Sequence, residues 1–146
     1  MTRQEARRLI VTAARKWVED PDSAVVWTGE HEGRPGIRMT QENRDFTTLW
    51  FEVGDRTVGL EAYLVPAPPH NQAEVYRQAL VRNGRSWPVW IAAGRDGDLY
   101  VLGRLPLESL DEEALDRAVG GVYELVDIAF RPMIRAGFAG SSSPGG

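Results

Sequence analysis

Apolar and polar positions repeat with two different periods along this chain, and the switches between them divide it into elements. From Thr2 to about Asp20, the residues Ala6, Leu9, Ile10, Ala13, Trp17 and Val18 recur at helical spacing. Thr2 with Glu5 three positions later has the form of a capping box. Asp20-Pro21-Asp22 stops the helix, because proline lacks a backbone donor. The next stretch is mixed: Ala24 to Trp27 has the form of a short strand, whereas Glu30 to Gly36 is charged and glycine-containing and reads as loop. Ile37 and Met39 then alternate with Arg38 and Thr40, as in a strand with one covered face.

The clearest strands are Phe46 to Val53 and Thr57 to Val65, rich in aromatic and β-branched residues and joined by Gly54-Asp55-Arg56. Leu49, Phe51 and Val53 share one face, with Trp50 and Glu52 on the other. In the second strand Val58, Leu60, Ala62 and Leu64 oppose Glu61 and Tyr63. An antiparallel hairpin follows, aliphatic on one face and mixing aromatics with carboxylates on the other.

Pro66, Pro68 and Pro69 end that segment. Asn71 and Glu74 are placed to cap a helix carrying Val75, Tyr76, Ala79 and Leu80, and Asn83-Gly84 is expected to close it in the left-handed conformation. Trp87 to Ala93 and Leu99 to Gly103 form a second hairpin across a turn rich in Gly and Asp. The final helix starts near Asp111, with Leu110 and Leu115 as a hydrophobic staple, and runs to about Ala136. Leu115, Val119, Val122, Val126, Ala129 and Met133 follow a heptad seam, and Ala118, Leu125, Ile128 and Ile134 with Tyr123 and Phe130 widen the apolar arc. An arc so wide needs either a second neighbour within the chain or a partner subunit. The homodimer contact expected from it centres on Val119, Val122, Val126 and Ala129.

The elements therefore come in the order α-βββ-α-ββ-α, an α+β class with an antiparallel sheet. The 146 residues suit one domain, taken as residues 1 to 138, with a Ser/Gly/Pro tail at 139 to 146 expected to be disordered. With no long apolar run and no signal-like start, the expectation is a soluble, cytoplasmic protein without a membrane partner.

Composition narrows the chemistry more than it suggests any. Cysteine is absent, which removes disulfides, thiolate nucleophiles and cysteine-based metal sites. The net charge of -4 argues against general affinity for nucleic acid, and the cluster Arg3, Arg7, Arg8, Arg15 and Lys16 reads as a solvated helix face. Asp96 and Asp98 lack the further ligands of a calcium loop. His31 and His70 both fall in predicted loops, and Glu30-His31-Glu32 places adjacent side chains on opposite sides of an extended chain, which disfavours a metal site. Glu52 and Glu61 share a sheet face as paired carboxylates for acid–base chemistry would, yet arginine partners such as Arg38 or Arg56 give them a simpler role. No phosphate-binding, nucleophile-elbow or zinc-helix motif occurs, so no catalytic residue, metal or cofactor is expected. Trp50, Tyr63 and Trp90 are candidate partner-binding anchors if their face is exposed, and core residues if helices cover both sides of the sheet.

The strand pair DFTTLWFEV and RTVGLEAYLV, the stretch HNQAEVYRQALVRN, the hairpin RDGDLYVLGRLPL and the closing segment LDEEALDRAVGGVYELVD together resemble the fold shared by type III secretion chaperones and YbjN-type proteins. The resemblance covers about residues 1 to 138 and is closer to the YbjN branch. It implies a non-enzymatic, chaperone-like or regulatory domain, a homodimer that binds non-globular partner segments as extended chain, without nucleotide or metal. The alternative is a small-molecule-binding regulator or small enzyme using the sheet carboxylates and the histidine loops.

Overall fold

The computed structural model describes residues 1–138, so the tail expected to be disordered lies outside the described residues. Helix α1 (Arg3–Glu19) opens with the expected capping box: the Glu5 N–H donates to Thr2 Oγ1 at 3.1 Å, and the Thr2 N–H donates to Glu5 Oε1 at 3.4 Å. Hydrogen bonding of the carboxylate by the Thr2 side chain and backbone N–H favours its ionised form and holds Glu5 below the usual carboxylate range. Ala6, Ile10, Ala13 and Ala14 form its buried stripe, three of them small enough to let the helix lie close to the sheet.

Four strands follow, where the sequence pattern showed three. They are β1 (Val25–His31), β2 (Arg34–Thr40), β3 (Phe46–Val53) and β4 (Thr57–Val65). The segment from Glu30 to Gly36, read as loop, is the end of β1, a two-residue turn and the start of β2. Glu32 and Gly33 both have positive φ, 51° and 78°, which suits the tight hairpin turn whose twist matches the strands it joins. Gly29, Pro35 and Gly36 hid the strand pattern. Pro35 precedes Gly36, the first residue of β2 that pairs with β3, so its missing N–H removes nothing from that ladder.

Helix α2 (Gln72–Asn83), the hairpin β5 (Val89–Ala93) with β6 (Leu99–Pro106), a short 3₁₀ turn at 107–109 and helix α3 (Glu112–Gly137) complete the chain. All strands pair antiparallel in the order β1-β2-β3-β4-β6-β5. Asn71 precedes α2 as expected, but its side chain makes no cap; it donates to the Ala136 carbonyl at 2.8 Å and so ties the start of α2 to the end of α3. Nor does α2 close in the left-handed region, since Gly84 is right-handed with φ -63°. Asp111 caps α3 as expected, accepting from the Ala114 N–H at 2.7 Å.

The aliphatic faces read from the strands converge on one core. Leu49, Phe51, Val58, Leu60, Ala62 and Leu64 are buried, together with Ile37, Val89, Ile91 and Val101 of the other strands. Helix α3 packs on β4, β5 and β6 and is flanked by α1 and α2. These internal neighbours account for its wide apolar arc. Val119, Val122, Val126 and Ala129, expected at a dimer contact, are at most 7% exposed within the single chain. They are core residues of the single chain, with Val119 at the edge of that core beside a surface hollow. The exposed apolar position of the arc is Ile128, at 53%.

Candidate functional site

With α1 and α3 in the same core as the aliphatic sheet face, the opposite face remains uncovered. Cross-strand register places its residues in rows. One row runs Gly29, Gly36, Trp50, Glu61, Leu102, Trp90 across all six strands. In neighbouring positions Trp27 pairs with Arg38 and Arg38 with Thr48, while Tyr63 pairs with Tyr100. Trp50, Tyr63 and Trp90 are thus brought to one surface, and none packs against the core cluster. Tyr63 is exposed; Trp50 and Trp90 are half-buried. The reading in which helices cover both sides of the sheet does not hold.

The structure adds residues that the sequence did not single out. The indole of Trp50 lies across Gly36, where a Cβ would fall 2.5 Å from two ring carbons, and that of Trp27 lies across Gly29, where a Cβ would fall 2.4 Å from Cζ2. Because Gly29 and Gly36 are directly paired, they make a floor on which two large rings can lie down. The rings meet edge to face at 6.4 Å, a favoured aromatic geometry. Arg34 stands over Trp50 at 5.6 Å from the centroid, and Arg38 sits 5.4 Å from Trp27 and 4.7 Å from Phe46. The sequence signal was present in the Gly29 and Gly36 pair, but it became legible only with β1 continued beyond Trp27 to His31.

Several charged groups here are already engaged. Glu61 pairs with Arg34 at 3.4 Å, and not with Arg38 or Arg56. Asp98 accepts from the Ala67 N–H at 2.8 Å and the Tyr63 hydroxyl at 3.1 Å, so it fastens the β5–β6 turn to the end of β4. Burial of the hydroxyl, reinforced by Asp98, pushes the Tyr63 phenol up to about 12. Arg44 donates to the carbonyls of Phe46, Tyr63 and Leu64, each at 3.0 Å, and covers the Phe130 ring of α3. Desolvation lowers its pKa, and its three carbonyl bonds with the Phe130 contact join the sheet end to the helix.

The histidines are not brought together. His31 ends β1 with its ring 5.8 Å from Trp50, whereas His70 lies before α2 and donates its backbone N–H to the Gly137 carbonyl. Among the described residues no three His, Asp or Glu side chains converge as a metal site would require. None of the helices described is long and apolar enough to cross a membrane.

A second surface lies at the opposite sheet edge. Between α2, the start of β5 and α3 is a cavity of about 460 Å³, lined among others by Val81, Arg82, Arg85, Trp87, Glu124 and Ile128. Trp87 is 82% exposed and Val81 58%. Large apolar side chains that exposed, gathered at one place, are characteristic of interaction surfaces.

Comparison with known sequences bears on which family has this face. The sequence model of the YbjN family, described as "Putative bacterial sensory transduction regulator", matches residues 14–135. The chain belongs to the YbjN family. A curated relative of this YbjN-family chain, an uncharacterized protein of Mycobacterium bovis, is 36% identical over 107 residues, which are 73% of this chain and 56% of the relative. The chain spans a little over half the length of the curated relatives it matches. Among solved structures it is similar to a chain of the ExoU–SpcU complex from the type III secretion system of Pseudomonas aeruginosa, with a TM-score of 0.57 at 19% identity, covering 84% of this chain and 94% of that one. A chain of the HopA1–SchA chaperone–effector complex gives 0.55 at 18% identity, covering 86% and 92%. The fold is that of the type III secretion chaperones, with a six-stranded antiparallel sheet and three α-helices among the described residues.

Proposed function

We propose that this YbjN-family chain is a non-enzymatic, chaperone-like protein-binding domain that acts as a homodimer. The observation that carries the reading is the uncovered sheet face, where Trp27, Phe46, Trp50, Tyr63 and Trp90 are held in register and remain partly open. Rigid aromatic side chains offer large contact area with little rotamer entropy to lose, which suits capture of an extended partner segment. Similarity to a chain of a chaperone–effector complex supports the same reading.

Self-association fits the second surface. Trp87, Val81 and Ile128 form its apolar part, while Arg82 and Arg85 lie in the same cavity as Glu124. Two copies related by a twofold axis present such a patch to itself, which sets arginine of one against glutamate of the other.

Two experiments test the two halves separately. Because Trp87 stacks on Trp90 of the sheet face, the variant for the second surface is Ile128→Asp: sedimentation at micromolar concentration should give a dimer that it dissociates without unfolding, and a wild-type monomer removes the dimer. A photo-crosslinking amino acid at Thr48 should capture partner protein in the native cell, and Trp50→Ser should abolish capture. Equal capture by the Trp50→Ser variant removes the sheet face as the binding site.

A further inference from the structure

Arg38 differs in its setting from Arg34 and Arg44, the arginines beside it at this end of the sheet face; Arg104 lies on the same face at the far side of β4. Arg34 is paired with Glu61, and Arg44 is bound to three backbone carbonyls. Arg38 is held by neutral groups: the Trp27 ring at 5.4 Å, the Phe46 ring at 4.7 Å, and Thr48, whose Oγ1 accepts from Nε at 3.3 Å. It forms no ion pair among the described residues. Its planar fork is therefore oriented in advance with its terminal nitrogens available to a carboxylate, and little rotamer freedom remains to be lost on binding.

The surroundings define the rest of the ligand. Trp27 and Phe46 flank the guanidinium, and beyond Phe46, which lines it where Arg38 and Trp27 do not, lies a shallow hollow of about 220 Å³ bounded by Arg34, Arg44, Trp50, Glu61 and Tyr63. Glu61 is the carboxylate among those lining residues and is already engaged by Arg34. Asp98 reaches the Tyr63 hydroxyl at the far end of the hollow, so the cationic part of the face is the Arg38 end, in a chain whose net charge is -4. Along an extended peptide, alternate side chains point the same way, so a carboxylate on Arg38 places its second neighbours against the aromatic rings.

We propose that Arg38 is the carboxylate-docking point of the sheet face, so that the bound segment carries an Asp or Glu side chain between apolar or aromatic residues. The inference rests on the reading of this face as a protein-binding surface and specifies the chemistry of its partner. A polyphosphate backbone is the other anion to weigh. Glu61 within the hollow and the acidic net charge disfavour it.

The test is selection of a phage-displayed random linear peptide library on the full chain, followed by calorimetric titration of one recovered peptide against the wild type, Arg38→Gln and Trp50→Ser, each first shown by thermal unfolding to be folded. The recovered peptides should share an acidic position with apolar neighbours two residues away. Arg38→Gln should weaken binding by about tenfold, the usual scale for a hydrogen bond to a charged group. Replacing the acidic peptide residue by Gln should cost the wild type the same factor and cost Arg38→Gln nothing further, as a double-mutant cycle requires. Peptides without acidic preference, bound equally by Arg38→Gln but lost on Trp50→Ser, overturn the carboxylate site and leave the protein-binding face standing. Peptides indifferent to Trp50→Ser, or none recovered, overturn both. A single-stranded oligothymidine that binds through Arg38 where peptides do not also overturns the inference.

Discussion

The side-chain amide of Asn83 holds the backbone of Ile91 from both sides: its Nδ2 donates to the Ile91 carbonyl at 2.8 Å, and its Oδ1 accepts from the Ile91 N–H at 2.7 Å. Among the described residues β5 lies at the end of the sheet and pairs only with β6, so Asn83 supplies at this residue what a further strand would have supplied. Asn83→Ala should lower stability by about 1–3 kcal/mol in urea unfolding, since two backbone groups lose their partner together. Asn83→Asp should also destabilise, because a carboxylate accepts the N–H and cannot donate to the carbonyl.

Gly36 is needed for the position of Trp50. A methyl group at Gly36 would lie 2.5 Å from the indole, so Gly36→Ala must lift the ring from the sheet. The indole N–H resonance of Trp50 should shift and near-ultraviolet dichroism should weaken, while the helices remain intact. An unchanged Trp50 resonance would show that the ring does not lie on this floor.

Helix α3 distinguishes buried from exposed apolar positions within one arc. Leu115 is fully buried, and Leu115→Ala should cost about 2–5 kcal/mol from lost burial and the cavity left behind. Ile128 is more than half exposed, so in a dissociated chain Ile128→Ala should change stability by about 0.5 kcal/mol or less. Denaturant midpoints of the two variants at low protein concentration check the contrast. Val122→Glu belongs with the first kind: it should unfold the chain, not merely separate two copies.

Tyr63 links stability to alkaline pH. Its folded-state pKa is pushed up to about 12, above the unfolded value of about 10. Below that lower value both states keep the proton and the contribution is whole. As pH rises further, the unfolded chain ionises first, so the stabilisation is lost progressively up to the folded pKa. Tyr63→Phe should therefore flatten part of the decline in stability across that window, read by denaturant unfolding at successive pH values. Phenolate absorbance should show a late-titrating tyrosine that this variant lacks.

Much of the architecture was legible because it depends on local rules. Thr2 with Glu5, Asp111 with its staple residues, and the period-two pattern of Leu49, Phe51, Val58, Leu60 and Ala62 each declare themselves within a few positions. Strand β1 did not, because its outward positions are Trp27, Gly29 and His31 and its turn places Glu32, a residue without turn preference, at positive φ. Asn83-Gly84 has the form of a helix stop, yet Asn83 acts on a strand eight residues on. Of the binding candidates, Trp50, Tyr63 and Trp90 were visible as residues that alternate with aliphatic ones. Arg34, Arg38, Trp27 and Phe46 were not, since cation–π contacts join them across strands in a way no spacing records.

By itself, then, the sequence determined the α+β class, the capped starts of α1 and α3 and which side of the central strands is aliphatic, because burial periodicity and capping act between near neighbours. Only the tertiary structure decided what covers each side. It placed α1 and α2 beside α3, so that Val119, Val122, Val126 and Ala129 became core, and it left the Trp50 side of the sheet open. The physical reason is that an apolar arc on a helix specifies that it will be buried but not by which neighbour, and that choice belongs to the packing of the whole chain.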